Sequence, residues 1–268
     1  MTGLRLVLRT APTQRLDLSP LTPDRLAGLD TAAIERLPLG TTREAVRVGD
    51  IFAVHEGDPA SLVIEGGSER FDGVGERMRS GTLLLEGDAG IRAGRALAGG
   101  HLTIAGNAGL FAASGALGGH LEIRGNAGGF LGGPLAGERT GMRGGIVVVR
   151  GGVGERVADR MRRGLIVVAG DAGRHAGSNM IAGTLIVCGN PGEMPGVLMR
   201  RGTIMLGRAC VLAPTFVPVG SADLVFRQLL ARAVTPFSPG AAALVTAPVR
   251  RFNGDMAAVG KGEVFMPI

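Results

Sequence analysis

Aliphatic residues recur along the middle of the chain in short alternating runs that repeat about every 19 residues. Each run, such as Thr82 to Glu86, carries two aliphatic residues spaced two apart and is followed by a glycine. A spacing of two puts both side chains on one face of a β-strand. A fixed period of about 20 residues is typical of a solenoid. The glycines that end the runs are Gly66, Gly87, Gly106, Gly125, Gly151, Gly170, Gly189 and Gly207.

The repeat predicts stacked columns of interior side chains. Leu83 and Leu85 stand in two aliphatic columns, and Met78 opens a third that is rich in methionine, a residue that fills irregular interior gaps. A left-handed hexapeptide helix, the acyltransferase scaffold, needs three equivalent aliphatic sides. Here one side is strongly aliphatic and the others are rich in glycine. We therefore predict an all-β fold, a right-handed parallel β-helix of about eight coils.

The two ends of the chain lack the repeat and are predicted to cap it, because a stack of strands otherwise exposes unpaired edges. Residues 1–60 are the predicted N-terminal α/β cap, and residues 61–210 are the coils. Residues 211–268 are a predicted C-terminal helical and extended cap that packs on the solenoid.

Local signals give each cap its elements. Leu4 to Leu8 reads as a strand, and Thr22 followed by Pro23 is typical of a helix start with a capping hydroxyl. In the second cap, Ser221 to Val234 reads as an amphipathic helix, whose predicted apolar face consists of Phe226, Leu229 and Leu230.

Two features point to protein interfaces. The outward column of the later strands is apolar, so it must be covered either by the C-terminal segment or by another subunit. It consists of Val148, Val167, Ile186 and Met205. The coil between Gly125 and Gly151 takes 26 residues instead of 19, and the extra loop includes Pro134 and Leu135. Insertions in solenoids often lie on the binding face, although a simple difference in length explains this loop equally well.

The formal charge is +6, and arginine carries nearly all of the positive charge because Lys261 is the single lysine. Four arginines share one register just before a strand, namely Arg79, Arg143, Arg162 and Arg200, and Arg163 and Arg201 adjoin two of them. The candidate residues of this stripe are Arg143, Arg162, Arg163, Arg200 and Arg201. Three interpretations stay open for this arginine stripe: a solvated face or subunit salt bridges, an anionic cofactor or substrate tail, and nucleic acid. The chain has no Trp or Tyr and only 9 Phe, so aromatic stacking for nucleic acid is poor.

The candidate chemistry is sparse. His101 and His120 open strands one repeat apart, which predicts about 5 Å between them on adjacent coils. They could be half of a zinc site or serve a stand-alone acyl- or formyltransferase, but no third ligand shares their register. The polar residues after the strand glycines, such as Asp88 and Asn107, are typical of turns. We predict no catalytic residue and no metal ligand in this chain.

The compartment is predicted to be the cytoplasm. No apolar run approaches the roughly 20 residues that a membrane span needs, and the N-terminus does not resemble a signal peptide. Cys188 and Cys210 are the only cysteines, and we expect both to be reduced.

The glycine-rich coils resemble the GXGXG domain found in the large subunit of glutamate synthase and in the C subunit of formylmethanofuran dehydrogenase. Three end segments, Val46 to Val54, Gly202 to Pro218 and Arg250 to Glu263, are similar to the second of these. The chain is thereby identified as a member of the family of formylmethanofuran dehydrogenase C subunits over essentially its whole length.

The resemblance implies one of two settings. In methanogens this type of subunit belongs to a tungsten- or molybdenum-dependent dehydrogenase. In methylotrophic bacteria it belongs to a formyltransferase/hydrolase complex, which passes a formyl group from formyl-tetrahydromethanopterin to methylofuran and releases formate. The Arg-rich, nearly Lys-free composition favours the bacterial setting.

The family places chemistry on other subunits, so the expected partners are subunits A, B and D, with no nucleic acid and no membrane. The resemblance implies that the A subunit holds a metal and that this chain holds no cofactor of its own. Methylofuran-type cofactors can carry a polyglutamate tail, which gives the arginine stripe a candidate anionic partner.

Overall fold

The computed structural model describes residues 2–40, 46–220 and 225–268. The strands are β1 (Gly3–Leu8), β2 (Leu16–Asp17), β3 (Phe52–His55), β4 (Asp58–Glu65), β5 (Phe71–Asp72), β6 (Thr82–Glu86), β7 (His101–Ile104), β8 (Leu117–Ile123), β9 (Arg143–Val149), β10 (Arg163–Val168), β11 (Thr184–Val187), β12 (Arg201–Leu206), β13 (Val217–Val219), β14 (Val249–Gly254) and β15 (Lys261–Pro267). The helices are α1 (Pro23–Leu26), α2 (Thr31–Glu35), α3 (Val48–Ile51), α4 (Val225–Val234) and α5 (Pro239–Thr246). The fold is therefore mostly β, as predicted.

One sheet of 13 strands organises the described part of the chain, in the order β13-β14-β15-β12-β11-β10-β9-β8-β7-β6-β4-β1-β3. Within this sheet, the strands from β4 to β12 each pair in parallel with the next, so that Leu83 lies opposite Leu102. β5 instead pairs with β2 in a separate two-stranded sheet. A second line of parallel bridges joins the turns, for example Ala89 with Ala108. Successive repeats therefore stack directly on one another.

The stack extends beyond the sequence repeat at both ends. β1 pairs in parallel with β4, and β15 pairs in parallel with β12. The predicted strand from Leu4 to Leu8 is confirmed as β1. β15 was not predicted, and it aligns Val264 with Ile204. Antiparallel β3 lies outside β1, and antiparallel β14 and then β13 lie outside β15, so strands from the two caps finish the sheet.

The inner core forms as the columns predict. Met78, Leu83 and Leu85 are 0–1% exposed, and their counterparts in later repeats are also buried. Between two repeats the backbones approach closely, and a Cβ on Gly106 would lie 2.6 Å from the carbonyl carbon of Gly87. Glycine is needed there because any side chain would force the repeats apart.

The corners use left-handed backbone at residues other than glycine. One turn position has φ between 49° and 64° in six repeats, and its residues are Arg92, Phe111, Phe130, Arg156, His175 and Met194. The cost of a Cβ in this region is about 1–2 kcal/mol for each residue. Stacking against the next repeat offsets it, because hydrogen bonds such as that from the Arg92 amide to the Leu110 carbonyl (2.9 Å) recur along the column.

The N-terminal helix start is confirmed, but not its capping hydroxyl. α1 begins at Pro23 after Thr22, which has extended backbone at the N-cap. The Thr22 hydroxyl is buried and has no hydrogen-bond partner among the described residues. Thr22 therefore starts α1 through its extended backbone conformation and its burial. It does not cap the helix with its side chain.

The C-terminal helices cover one face of the sheet. Leu230, Ala231 and Val234 of α4 pack with Ala241 and Val245 of α5 against the outward strand residues. The predicted helix ends at Val234 as expected, and its first residues, 221–224, lie outside the described residues.

The predicted buried face of this helix was wrong for two residues. Phe226 is 40% exposed and Leu229 is 58% exposed, whereas Leu230 is buried. The helix meets the sheet through the arc that contains Leu230, Ala231 and Val234, and Phe226 and Leu229 lie beside that arc.

Candidate functional site

The arginine stripe lies along one edge of the stacked strands. Arg143 opens β9, Arg163 opens β10, and the two are register partners. Arg201 opens β12 and pairs with Lys261 of β15. All five arginines of the stripe are exposed, and none makes a side-chain hydrogen bond or ion pair with another described residue. The stripe is an uncompensated positive surface.

Four members of the stripe border a single cleft of about 400 Å³. Arg162 and Arg163 line one side, and Arg200 and Arg201 line the other. The repeat between them contributes the uncharged residues Ile181 and Ala182, and Val259 completes the wall. Because no carboxylate lines this cleft, it can accept an anion through charge-assisted hydrogen bonds.

Arg143 lies at a different cleft, beside the inserted loop. That cleft, of about 370 Å³, is also lined by Arg77, Arg95 and Arg139. Glu138 of the loop reaches Arg95, with 2.6 Å between Oε1 and Nη2, and its other carboxylate oxygen accepts from the Leu135 amide at 3.0 Å. The loop is therefore tied to the repeats through its own residues, and the stripe is divided between two clefts.

The two residues of the inserted loop that were predicted to lie at an interface are not the exposed part of that loop. Pro134 is buried and Leu135 is half-buried. The exposed residues of the loop are Ala136, Gly137 and Arg139. The bend that carries Glu138 to Arg95 turns the apolar residues toward the repeats.

The outward apolar column is covered by the chain itself, which corrects its assignment to a subunit interface. Val148, Val167, Ile186 and Met205 are 0–1% exposed and form an outer core with α4, α5 and Phe265. No part of these four side chains is available to a partner. Of the two covers left open by the sequence, the C-terminal segment is the one observed.

The two histidines stack as predicted. His101 and His120 are register partners on β7 and β8, and their ring centroids lie 5.7 Å apart. The His120 ring also contacts Phe237 at 4.9 Å. Burial, followed by the nearby His101, lowers the pKa of His120. His120 therefore packs between its neighbour and the C-terminal segment, as a contact residue.

Polar residues after the strand glycines form a hydrogen-bonded column between repeats. Asp88 Oδ1 accepts from the Asn107 amide at 2.6 Å, and Asn107 Oδ1 accepts from the Asn126 amide at 2.8 Å. The same bond joins Asp171 to the Asn190 amide at 2.7 Å. These side chains link one turn to the next, in line with the prediction that turn chemistry explains them.

The remaining candidate chemistry is limited. In residues 2–40, 46–220 and 225–268, no three His, Cys, Asp or Glu side chains cluster as a metal site would require. Both cysteines are free, and burial raises the pKa of each thiol, which favours the unreactive protonated form. None of the described helices is long and apolar enough to cross a membrane.

Comparison with known proteins finds a relative that is similar over almost the whole length of this chain. Over 260 residues it is 52% identical to the C subunit of the formyltransferase/hydrolase complex Fhc of Methylorubrum extorquens, covering 97% of this chain and 98% of that protein. The chain belongs to the family of Fhc C subunits. No protein-family model matches it.

A crystal structure supports the same membership of the Fhc C-subunit family. The structure is the formyltransferase/hydrolase complex FhcABCD from Methylorubrum extorquens in complex with methylofuran. One of its chains superimposes with a TM-score of 0.94 at 42% identity, covering 98% of this chain and 99% of that chain. The repeats and both ends of this chain are therefore also present in that chain of the crystal structure.

The sequence analysis did not predict that Lys261 belongs to the positive surface. It joins the stripe because β15 pairs with β12 and places Lys261 opposite Arg201. A signal was present, since Lys261-Gly262 repeats the cation–glycine step of Arg163-Gly164 and Arg201-Gly202. It was hidden by the long intervening segment between Leu206 and Lys261, which has no repeat.

Proposed function

We propose that this chain is the structural, non-catalytic C subunit of a formyltransferase/hydrolase complex with subunits A, B and D. In this proposal the complex moves a formyl group from formyl-tetrahydromethanopterin to methylofuran and then releases formate. The observation that carries it is the 52% identity over 97% of this chain and 98% of the Fhc C subunit. We propose a cytoplasmic location, with the metal and both one-carbon carriers at the level of the complex.

A non-catalytic role is supported by what the polar residues do. Asp88, Asn107 and Asp171 bond the turns of adjacent repeats, and their carboxylate or amide oxygens are engaged with backbone N–H groups. His120 lies between His101 and Phe237. A stand-alone transferase that uses His101 and His120 would need a general base free to reach substrate, so the packing of His120 counts against that alternative.

The architecture that we propose for this role is a right-handed parallel β-helix of the GXGXG type, related to the C subunit of formylmethanofuran dehydrogenase. The stacked parallel pairing one repeat apart and the second line of turn bridges support it. We propose the domain limits 1–60, 61–210 and 211–268, with β1 and β15 adding a strand at each end of the stack.

We further propose that Arg162, Arg163, Arg200 and Arg201 attract the anionic tail of methylofuran, with Arg143 beside them. Their shared cleft of about 400 Å³ with no acidic lining supports this role. The inserted loop remains a proposed site of contact with another subunit, through its exposed residues Ala136, Gly137 and Arg139.

The test of the main proposal is purification of the native complex through an affinity tag on this chain, followed by mass spectrometry and activity assays. We expect subunits A, B and D to co-purify, and the isolated chain to show no formyl transfer and no formylmethylofuran hydrolysis. Turnover by the isolated chain comparable to that of the complex would refute the non-catalytic role. Co-purification with a tungsten or molybdenum subunit would favour the dehydrogenase setting instead.

The tail is tested in the same complex with Arg162→Glu combined with Arg163→Glu. We expect a larger rise in KM for polyglutamylated methylofuran than for a tail-trimmed form, because only the longer ligand loses its charge partners. Salt dependence alone does not discriminate, since any polyanion is screened over roughly 8–10 Å. Equal KM changes for the two ligands would remove the tail from the proposal.

A further inference from the structure

Helix α4 presents apolar side chains to the protein and also to solvent. Leu230 and Val234 lie in the outer core. Val225 is 72% exposed, Phe226 is 40% exposed and Leu229 is 58% exposed. At about 100° per residue these three positions fall within a continuous arc of about 100°, next to the buried arc. The apolar positions of the helix therefore extend well beyond the side that meets the sheet, with Arg227 as the one charged residue beside Val234 on the buried side.

Such a helix is normally covered on both sides. The sheet covers one side of α4, and among the described residues nothing buries Val225, Phe226 and Leu229. Contiguous exposed apolar side chains rimmed by polar groups mark interaction sites in soluble proteins. Polar residues of α4 occupy the edge of this arc, as Gln228 and the exposed Arg232 follow it around the helix.

The rim of this face is positive. From Val225 through Arg251 the sequence contains no Asp or Glu. Arg232, which lies on α4 beside this arc, is exposed and forms no ion pair with another described residue. A complementary cover would combine an apolar centre with carboxylates at its edge.

We propose that the face of α4 formed by Val225, Phe226 and Leu229 docks a neighbouring, different subunit of the complex, through an apolar patch with an acidic rim. The proposal rests on the proposed function in taking the chain to be one subunit of a larger assembly. A second copy of this chain is disfavoured, because a two-fold contact through the same patch would bring Arg232 toward its own copy. Like charges at an interface weaken association.

The test uses the tagged complex with Phe226→Glu and Leu229→Glu together. We expect at least about tenfold weaker association of this chain with the other subunits, because apolar residues at the centre of an interface carry most of its affinity. Leu110→Glu is the matched control, since Leu110 is an exposed leucine (46%) in a turn of the repeats and away from α4. That variant should remain in the complex.

Two further measurements keep the test decisive. The isolated double variant should unfold thermally at the same temperature as the wild type, because both positions are exposed. If the double variant is less stable, Leu229→Gln replaces the double variant in the association assay. Arg232→Glu should weaken association more at low salt than at high salt, as expected for a charge at a rim.

The outcomes separate this surface from the proposed function. If the wild-type chain does not co-purify with subunits A, B and D, the proposed function fails. If it co-purifies and the double variant does so equally well, the docking face is refuted. Dimerisation of the isolated chain that Phe226→Glu abolishes would assign the face to a second copy. Binding of vesicles containing anionic lipid that depends on Leu229 would assign it to a membrane surface. Either result overturns the proposal.

Discussion

Truncation of Ile186 tests whether the C-terminal helices cover the sheet in solution. Ile186 lies in the middle of the outer core, is 0% exposed and pairs in register with Val167 and Met205 on the neighbouring strands. α4 and α5 close this core from outside. We therefore predict that Ile186→Ala destabilises the isolated chain, without any partner subunit present.

The magnitude follows from the atoms removed. Ile186→Ala deletes three carbon atoms from a fully buried site, and at about 0.8 kcal/mol each the lost transfer free energy is about 2.4 kcal/mol. The residual cavity raises the expected cost to about 3–4 kcal/mol. Ile186→Val deletes one carbon atom and should cost about 1 kcal/mol. The exposed control, Leu110→Ala, should change the free energy of unfolding by less than about 0.5 kcal/mol.

The assay is urea unfolding of the isolated chain, followed by circular dichroism and by limited proteolysis of the segment that contains α4 and α5. We expect Ile186→Ala to lower the midpoint and to speed cleavage within that segment, because the helices lose part of their packing surface. A loss below about 1 kcal/mol, well under the usual cost of such a truncation, combined with release from the complex would show that a partner, and not α4 and α5, covers Ile186 in solution.

Three further predictions concern polar contacts. The folded state lowers the pKa of His120 below 6.5, so the unfolded chain binds the proton first as the pH falls. The stability of the folded chain should therefore fall as the pH drops below about 6.5. His120→Gln should reduce that loss in unfolding curves measured from about pH 8 to 5. Hydrogen bonds from Asn190 lower the pKa of Asp171 below 3.8. The contribution of Asp171 to stability should therefore persist above that pH and disappear as acid protonates the folded state. Asp171→Asn should abolish this pH dependence in acid titrations. Asn126→Ala removes the acceptor of the Gly152 amide (2.8 Å) and should cost about 1 kcal/mol in urea unfolding, whereas a loss near zero would mean that water replaces the bond.

The repeated part of the fold is encoded locally, which is why periodicity alone predicted it. A side-chain period of two assigns Leu83 and Leu85 to the interior, and the 19-residue spacing places each strand beside the next. His101 and His120 became neighbours for the same reason. In a stacked repeat, sequence distance translates directly into spatial distance, so contacts between adjacent repeats follow from counting.

Tertiary structure decided the long-range contacts of the segments outside the period. The apolar face of Val167 and Ile186 required a cover, but its identity depended on how α4 and α5 fold back across the sheet. Lys261 reached Arg201 only through the pairing of β15 with β12. Both contacts join residues far apart in the chain with no repeat to set the distance between them. Helical periodicity predicted Phe226, Leu229 and Leu230 as the buried side of α4. The sheet instead packs against the arc that contains Leu230, which leaves Leu229 exposed.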